Sequence, residues 1–244
     1  MYTLFMFIGI GMFFLGMNQV RESVAAVLVL DAYIMFKEKK MKRFFLFFCI
    51  AVLFHYSVLI CILPFFIMYI VKSMKLSERR VAYLILIFSF FVFGFIDFFL
   101  IKLSSIPVFG DYYRAYIALG YIKKGHINYL LFFGLLFFIS ELIEYKNKCA
   151  SDYGIIIWAS IGLACAIISI KFNMIQRVFH YFQPFLALYA SNDVEKIKSG
   201  KWRFLVRIIF NLLFFGFMYI YLYLSENGHG RDGVIPYELW GNVR

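Results

Sequence analysis

The sequence predicts an all-α, polytopic integral membrane protein with about seven to nine transmembrane or re-entrant helices, and three observations predict it. Of 244 residues, 64% are hydrophobic, and mean hydropathy is +0.82, far above the soluble globular range. The apolar residues gather into long runs without strand-like alternation. Backbone in hydrocarbon must satisfy its own hydrogen bonds, so such runs read as helices and not as a β-barrel. The charged residues, which give a net charge of +11, sit mostly in short loops between the runs. That pattern is produced by topology control and anionic headgroups, and it argues against nucleic acid as a partner.

In chain order the expected segments are 1–17, 20–36, 44–71, 81–101, 127–143, 154–171, about 173–190 and 204–224. The first lacks a basic leader and a small-residue cleavage site, so it reads as a retained span whose glycines permit close packing. No internal repeat or soluble domain interrupts residues 1–244, which read as a single transmembrane domain. The loop 102–126 and the tail 225–244 are the longest polar stretches and read as site-covering elements. Thirty-three Phe and eighteen Tyr read as lipid-facing bulk and interfacial anchors. Cys49, Cys61 and Cys165 lie in apolar segments and Cys149 in a short loop, without metal-ligand spacing or a disulfide framework. Pro184 is expected to kink the seventh segment.

The third segment decides the topology. Residues 44–71 carry no formal charge in 28 positions, yet KEKKMKR precedes them and KSMKLSERR follows. If the segment crosses once, the Lys and Arg tally is 13 inside against 11 outside; if it enters and returns, the tally is 15 against 9. The return reading fits the retention of basic loops in the cytoplasm better. One helix of that length would span about 42 Å, whereas two halves would each reach about 21 Å. A broken pair of helices with its tip near HYS is therefore expected, buried against other spans or lining a wet cavity. Arg21, Arg114, Lys123, Lys124, Lys171, Arg177 and Arg231 then fall near the outer face, together with His55, Asp97 and Asp111. Sparse charges on that face suggest a polar site for an anionic ligand.

Arg21 begins the second segment, where it is either half of an interfacial pair with Glu22 or a fork for phosphate oxygens. Arg177 and Tyr181 are four apart and share a helical face, with His180 reading as a packed histidine. His55 needs a partner for its imidazole, such as Tyr56, Ser57 or a residue of another helix, and its ordinary pKa suits a general base. Asp111 and Arg114, among the aromatics of the 102–126 loop, suit carbohydrate.

These stretches, in this order, resemble the EpsG family of Wzy-type polysaccharide polymerases. The resemblance is carried by Asn18, Arg21 and Ala25 in MNQVRESVAA; Phe54, His55 and Ser57 in LFHYS; Arg177, Tyr181 and Phe182 in QRVFHYF; and Pro236 and Tyr237 in VIPY. Glu22 stands where the family commonly has Gln, and family members usually carry further spans before the first motif, so an N-terminally shortened or alternatively started chain is expected. The resemblance implies a membrane glycosyltransferase of GT-C-like architecture in the bacterial inner membrane, with its active site facing outward. It would join undecaprenyl-diphosphate-linked oligosaccharide repeat units of O-antigen, capsule or exopolysaccharide, without cofactor or metal. His55, Arg21 and Arg177 would be catalytic; Asn18, Ser57, Arg114, Asp111, Tyr181 and Tyr237 would bind substrate. Asp97 or Asp111 is an alternative base. Membrane lipids, a chain-length regulator and a flippase are the other expected partners. The alternative functions are a flippase of lipid-linked oligosaccharide, which would usually show repeated halves, and an O-antigen ligase, which uses the same donor with another acceptor.

Overall fold

A computed structural model describes residues 20–104, 127–147, 154–172 and 175–223. The first expected segment, most of the 102–126 loop and the tail lie outside these residues, as do Asn18, Asp111, Arg114 and Tyr237. Among the described residues all regular structure is helical: α1 (Val20–Lys37), α2 (Met41–Phe54), a 3₁₀ helix (Tyr56–Cys61), α3 (Ile62–Ser73), α4 (Glu78–Ser104), α5 (Ile127–Asn147), α6 (Ile155–Ser169), α7 (Ile175–His180), α8 (Gln183–Glu195) and α9 (Gly200–Tyr223). Two stretches, Tyr56–Ser73 and Glu78–Phe98, are long and apolar enough to cross a membrane by length and composition.

The third segment doubles back. His55 has extended backbone (φ −153°, ψ 111°), and its N–H closes α2 on the Ala51 carbonyl while its own carbonyl accepts from Val58 N to open the 3₁₀ helix. Phe65 then packs its ring on Phe44 and Phe48, at centroid distances of 4.9 and 6.0 Å. Phe44 and Phe65 are 21 positions apart, about 31 Å in a continuous α-helix, so only a hairpin brings them together. The 3₁₀ geometry rises about 2.0 Å per residue, which lengthens the returning limb.

Two of the tight turns at the far end of this hairpin are closed by lysines. Lys39 and Lys75 hold left-handed φ values of 59° and 52°. In each turn the next residue donates back to the helix, Lys40 N to Met35 O and Leu76 N to Val71 O, both 2.9 Å. This is the usual helix-ending bond pattern with lysine at the position glycine favours.

In a bilayer, hydrophobic exclusion does not press one helix on another; close packing and polar contacts do. Small residues on α1 (Ala25, Ala26 and Ala32) are fully buried and bring α2 close. α6 is the central helix. Its Trp158 is inaccessible, stacks on Phe185 at 4.0 Å, meets Phe65 edge-on at 4.9 Å and donates its indole N–H to Met68 Sδ. Gly162 sits where α8 comes closest: a Cβ there would lie 2.9 Å from the Phe182 Cβ. The aromatic side chains thus divide, contrary to a purely lipid-facing reading. Phe133, Phe179, Phe182 and Phe214 are buried, whereas Phe66, Phe88, Phe90 and Phe204 are exposed.

The seventh segment is also two helices, not one kinked span. The chain turns at Tyr181 and Phe182, and Pro184 falls in the first turn of α8. A proline there loses nothing, because first-turn N–H groups have no intrahelical acceptor.

Candidate functional site

The two ends of the bundle differ in chemistry. The α1–α2 and α3–α4 turns, the end of α5, the start of α6 and the α8–α9 turn lie at one end, where polar contacts tie α4, α5, α6 and α8 together. Glu78 accepts from Gly154 N at 2.9 Å, and Arg79 pairs with Glu144 at 2.7 Å. Lys196 bridges Glu144 at 3.0 Å and Asp193 at 2.7 Å. Arg79 Nε also lies 3.3 Å from Glu141, which accepts from Tyr83 at 2.5 Å and from Tyr189. Burial opposes the charge on Lys196, but its bonds to Asp193 and Glu144 hold its pKa above the ordinary lysine range. Sequence reasoning missed this network. Its signal was there in carboxylates at 141 and 144, one turn apart at the end of an apolar run, and Asp193 one turn before Lys196.

The opposite end holds the site. The α2–3₁₀ break presents His55 sideways, and α7 with the turn after it presents Arg177 and Tyr181. His55 Nδ1 lies 2.6 Å from Ser57 Oγ and 2.6 Å from Tyr181 Oη, and the two hydroxyls are 2.8 Å apart. A nitrogen either donates or accepts, so two of the three contacts are hydrogen bonds at any moment. Nδ1 is committed to this triangle, while Nε2 has no hydrogen-bond partner among the described residues. The Tyr56 ring, 79% exposed, stacks on the imidazole at 5.7 Å.

Arg21, in the first turn of α1, and Arg177 are both exposed. Neither guanidinium has a hydrogen bond or ion pair among the described residues, yet the charges of both act on His55. The interfacial pair of Arg21 with Glu22 does not form. Glu22 instead turns inward, 6% exposed, within the field of Arg177, and its Oε1 has no partner among the described residues. The inward carboxylate was not legible as such, since its burial depends on which neighbours cover the start of α1.

α7 is fixed from behind by rings. Phe179 packs edge-on against Phe133 of α5 at 4.8 Å and Tyr129 at 5.7 Å, and Phe217 of α9 stacks on Phe132 at 4.2 Å. His180 is buried and lies 3.2 Å from Gln183 Oε1, the packed histidine that was expected. Tyr181 is itself inaccessible, so it supports His55 from inside. Asp97 is paired with Lys171 at 2.8 Å at this same end.

The structure therefore brings together Arg21, His55, Ser57, Arg177 and Tyr181 from three separate stretches of chain. The arrangement can bind an anion between two guanidinium groups that have no partner among the described residues, and accept or steer a proton at a tethered imidazole. Searches among curated proteins and among solved structures gave no match. The model of the EpsG family matches residues 1–239, and the family is one of membrane polysaccharide polymerases. A match over nearly the whole length, with the described motif residues Arg21, His55, Ser57, Arg177 and Tyr181 gathered at one end of the helical bundle, settles the kinship: this chain belongs to the EpsG family.

Proposed function

We propose that the chain polymerises oligosaccharide repeat units carried on undecaprenyl diphosphate, at the outer face of the bacterial inner membrane. Orientation follows from charge: loops 37–43 and 72–80 hold nine lysines and arginines and lie at the end away from His55. Cytoplasmic retention of such loops puts the His55 end outward. A hydroxyl at the non-reducing end of one unit attacks the anomeric carbon of another. The bond from that carbon to the diphosphate oxygen breaks, and polyprenyl diphosphate leaves with the electron pair.

His55 takes the hydroxyl proton at Nε2, in the tautomer whose Nδ1–H donates to Ser57 or Tyr181. Arg21 and Arg177 neutralise charge developing on the leaving diphosphate. Removing one donor to such a developing charge typically costs about 10²–10³ in rate. Of the other residues expected to bind substrate, Asn18, Asp111, Arg114 and Tyr237 remain proposals for the sugar-facing side. The repeat-unit flippase and a chain-length regulator are the partners this reading requires.

The observation that carries the proposal is the hairpin, which sets a tethered imidazole beside two arginines that have no partner among the described residues, at one end of the bundle. The test is complementation of a deletion strain. Loss of the chain should leave single repeat units on the lipid anchor, and the wild type should restore a polymer ladder. Loss of a ligase would leave long unattached polymer, and loss of a flippase would stop material at the cytoplasmic face. His55→Ala, Arg21→Ala and Arg177→Ala, expressed at wild-type level, should not restore the ladder; full ladders from all three would refute the site.

A further inference from the structure

Two elements of the site each place a polar residue directly beside an apolar one. On α7 and its turn, Arg177 and Tyr181 are four apart, and Val178 and Phe182 repeat that spacing one position on. One surface thus carries the polar pair, and the adjoining surface carries the apolar pair. In the 3₁₀ helix, residues three apart eclipse one another, so Ile60 lies one turn beyond Ser57 on the same face.

Ile60, Val178 and Phe182 are all walls of one groove of about 450 Å³, closed by α4 and α6. Along α4 its lining runs from Val81 to Val92, a length of about 16 Å. Ser89 is the one hydroxyl among the described lining residues, and it donates to the Leu86 carbonyl at 2.7 Å. Among the described lining residues nothing is left to bind a sugar or a phosphate. Its rim residues Leu84 and Phe88 are 62% and 64% exposed, so the groove opens sideways, on the surface a bilayer would cover.

We infer that this groove seats the isoprenoid chain of a polyprenyl diphosphate whose head lies at Arg21 and Arg177, an inference that rests on the function proposed above. The continuity of groove and polar cluster selects an amphiphile: a long uncharged hydrocarbon ending in an anionic head. Two guanidinium forks without a partner among the described residues match a diphosphate, which presents two phosphates to two donors. The lipid enters from the membrane plane, and its anomeric linkage arrives under His55 without the chain leaving hydrocarbon.

The test uses the full chain in nanodiscs of phosphatidylethanolamine and phosphatidylglycerol, with sugar-free undecaprenyl diphosphate as the probe. A photoreactive benzoylphenylalanine replaces Phe88, at the groove, or Phe90, exposed on the same helix outside it. After irradiation, mass spectrometry should find the polyprenyl adduct at position 88 about tenfold over position 90, equivalent to about 1.4 kcal/mol of preference. Val178→Trp should abolish the excess by filling the groove, and Arg177→Ala should reduce it by releasing the head. Equal adducts at the two positions, or phospholipid adducts at 88 that the probe does not displace, would overturn the inference. Because the probe carries no sugar, the readout is independent of catalysis. Adducts at 88 with full ladders from the site variants would fail the polymerase reading alone, and absent adducts with lost ladders would fail the groove alone.

Discussion

Ser57 and Tyr181 share one nitrogen, His55 Nδ1, and each is placed to serve it if the other is lost. Redundancy of this kind has a measurable signature. Ser57→Ala or Tyr181→Phe leaves one hydroxyl on the ring, so each should lower polymer formation by about five- to tenfold, the worth of one net hydrogen bond near 1 kcal/mol. The double variant removes both partners that Nδ1 has among the described residues and should fall below the product of the two single effects. A ladder assay with matched expression in a double-mutant cycle reads this; strictly multiplicative losses would show that the triangle does not act as a unit.

The doubling back of 44–71 is an element-scale feature, and its cause was legible: lysines flank both ends of a run too short for two full spans and too long for one. The tip at HYS was legible as well, because an imidazole in an apolar run needs partners. What could not be read was the 3₁₀ form of residues 56–61, since hydrophobicity has no signal for the tighter winding. The Tyr181–Phe182 break was hidden for a different reason. Pro184 drew attention to itself, while the interruption two residues earlier depends on the tertiary fit of Phe182 against Gly162. The lysine turns give the second prediction. A left-handed lysine costs about 1–2 kcal/mol, and glycine escapes that cost while gaining freedom in the unfolded chain. Lys75→Gly should therefore be neutral or stabilising by up to about 1 kcal/mol, and Lys75→Val destabilising by about 1–2 kcal/mol. Thermal unfolding in one detergent compares them.

Across the whole molecule, the hairpin sorts the charges. Positions 40 and 75 flank it at one end, and positions 21 and 171 lie at the other. Single cysteines at 40 and 75, in a background lacking the native four, should be labelled by an impermeant maleimide only after cell lysis. Cysteines at 21 and 171 should be labelled in intact spheroplasts, and a split between 40 and 75 would contradict the hairpin. The same end-to-end division explains the buried network that ties α4, α5 and α8. Glu144 and Asp193 are inaccessible, and Lys196 touches both. Removing Glu144 leaves both cations paired, Arg79 with Glu141 and Lys196 with Asp193. Removing Lys196 leaves Glu144 its arginine but takes the ion-pair partner from Asp193, whose Oδ2 already has no hydrogen bond among the described residues. An uncompensated buried charge costs about 3–5 kcal/mol, so Lys196→Met should destabilise far more than Glu144→Gln. The deficit has a sign in pH. Burial holds the Asp193 carboxyl up at about 8 even with Lys196 beside it, and losing the lysine raises it further, so the Lys196→Met loss should be largest above pH 8 and shrink as pH falls. Unfolding temperatures of the wild type and both variants at pH 9.5 and pH 7 decide it, and a Lys196→Met deficit that does not grow toward alkaline pH would mean the network is not held by this ion.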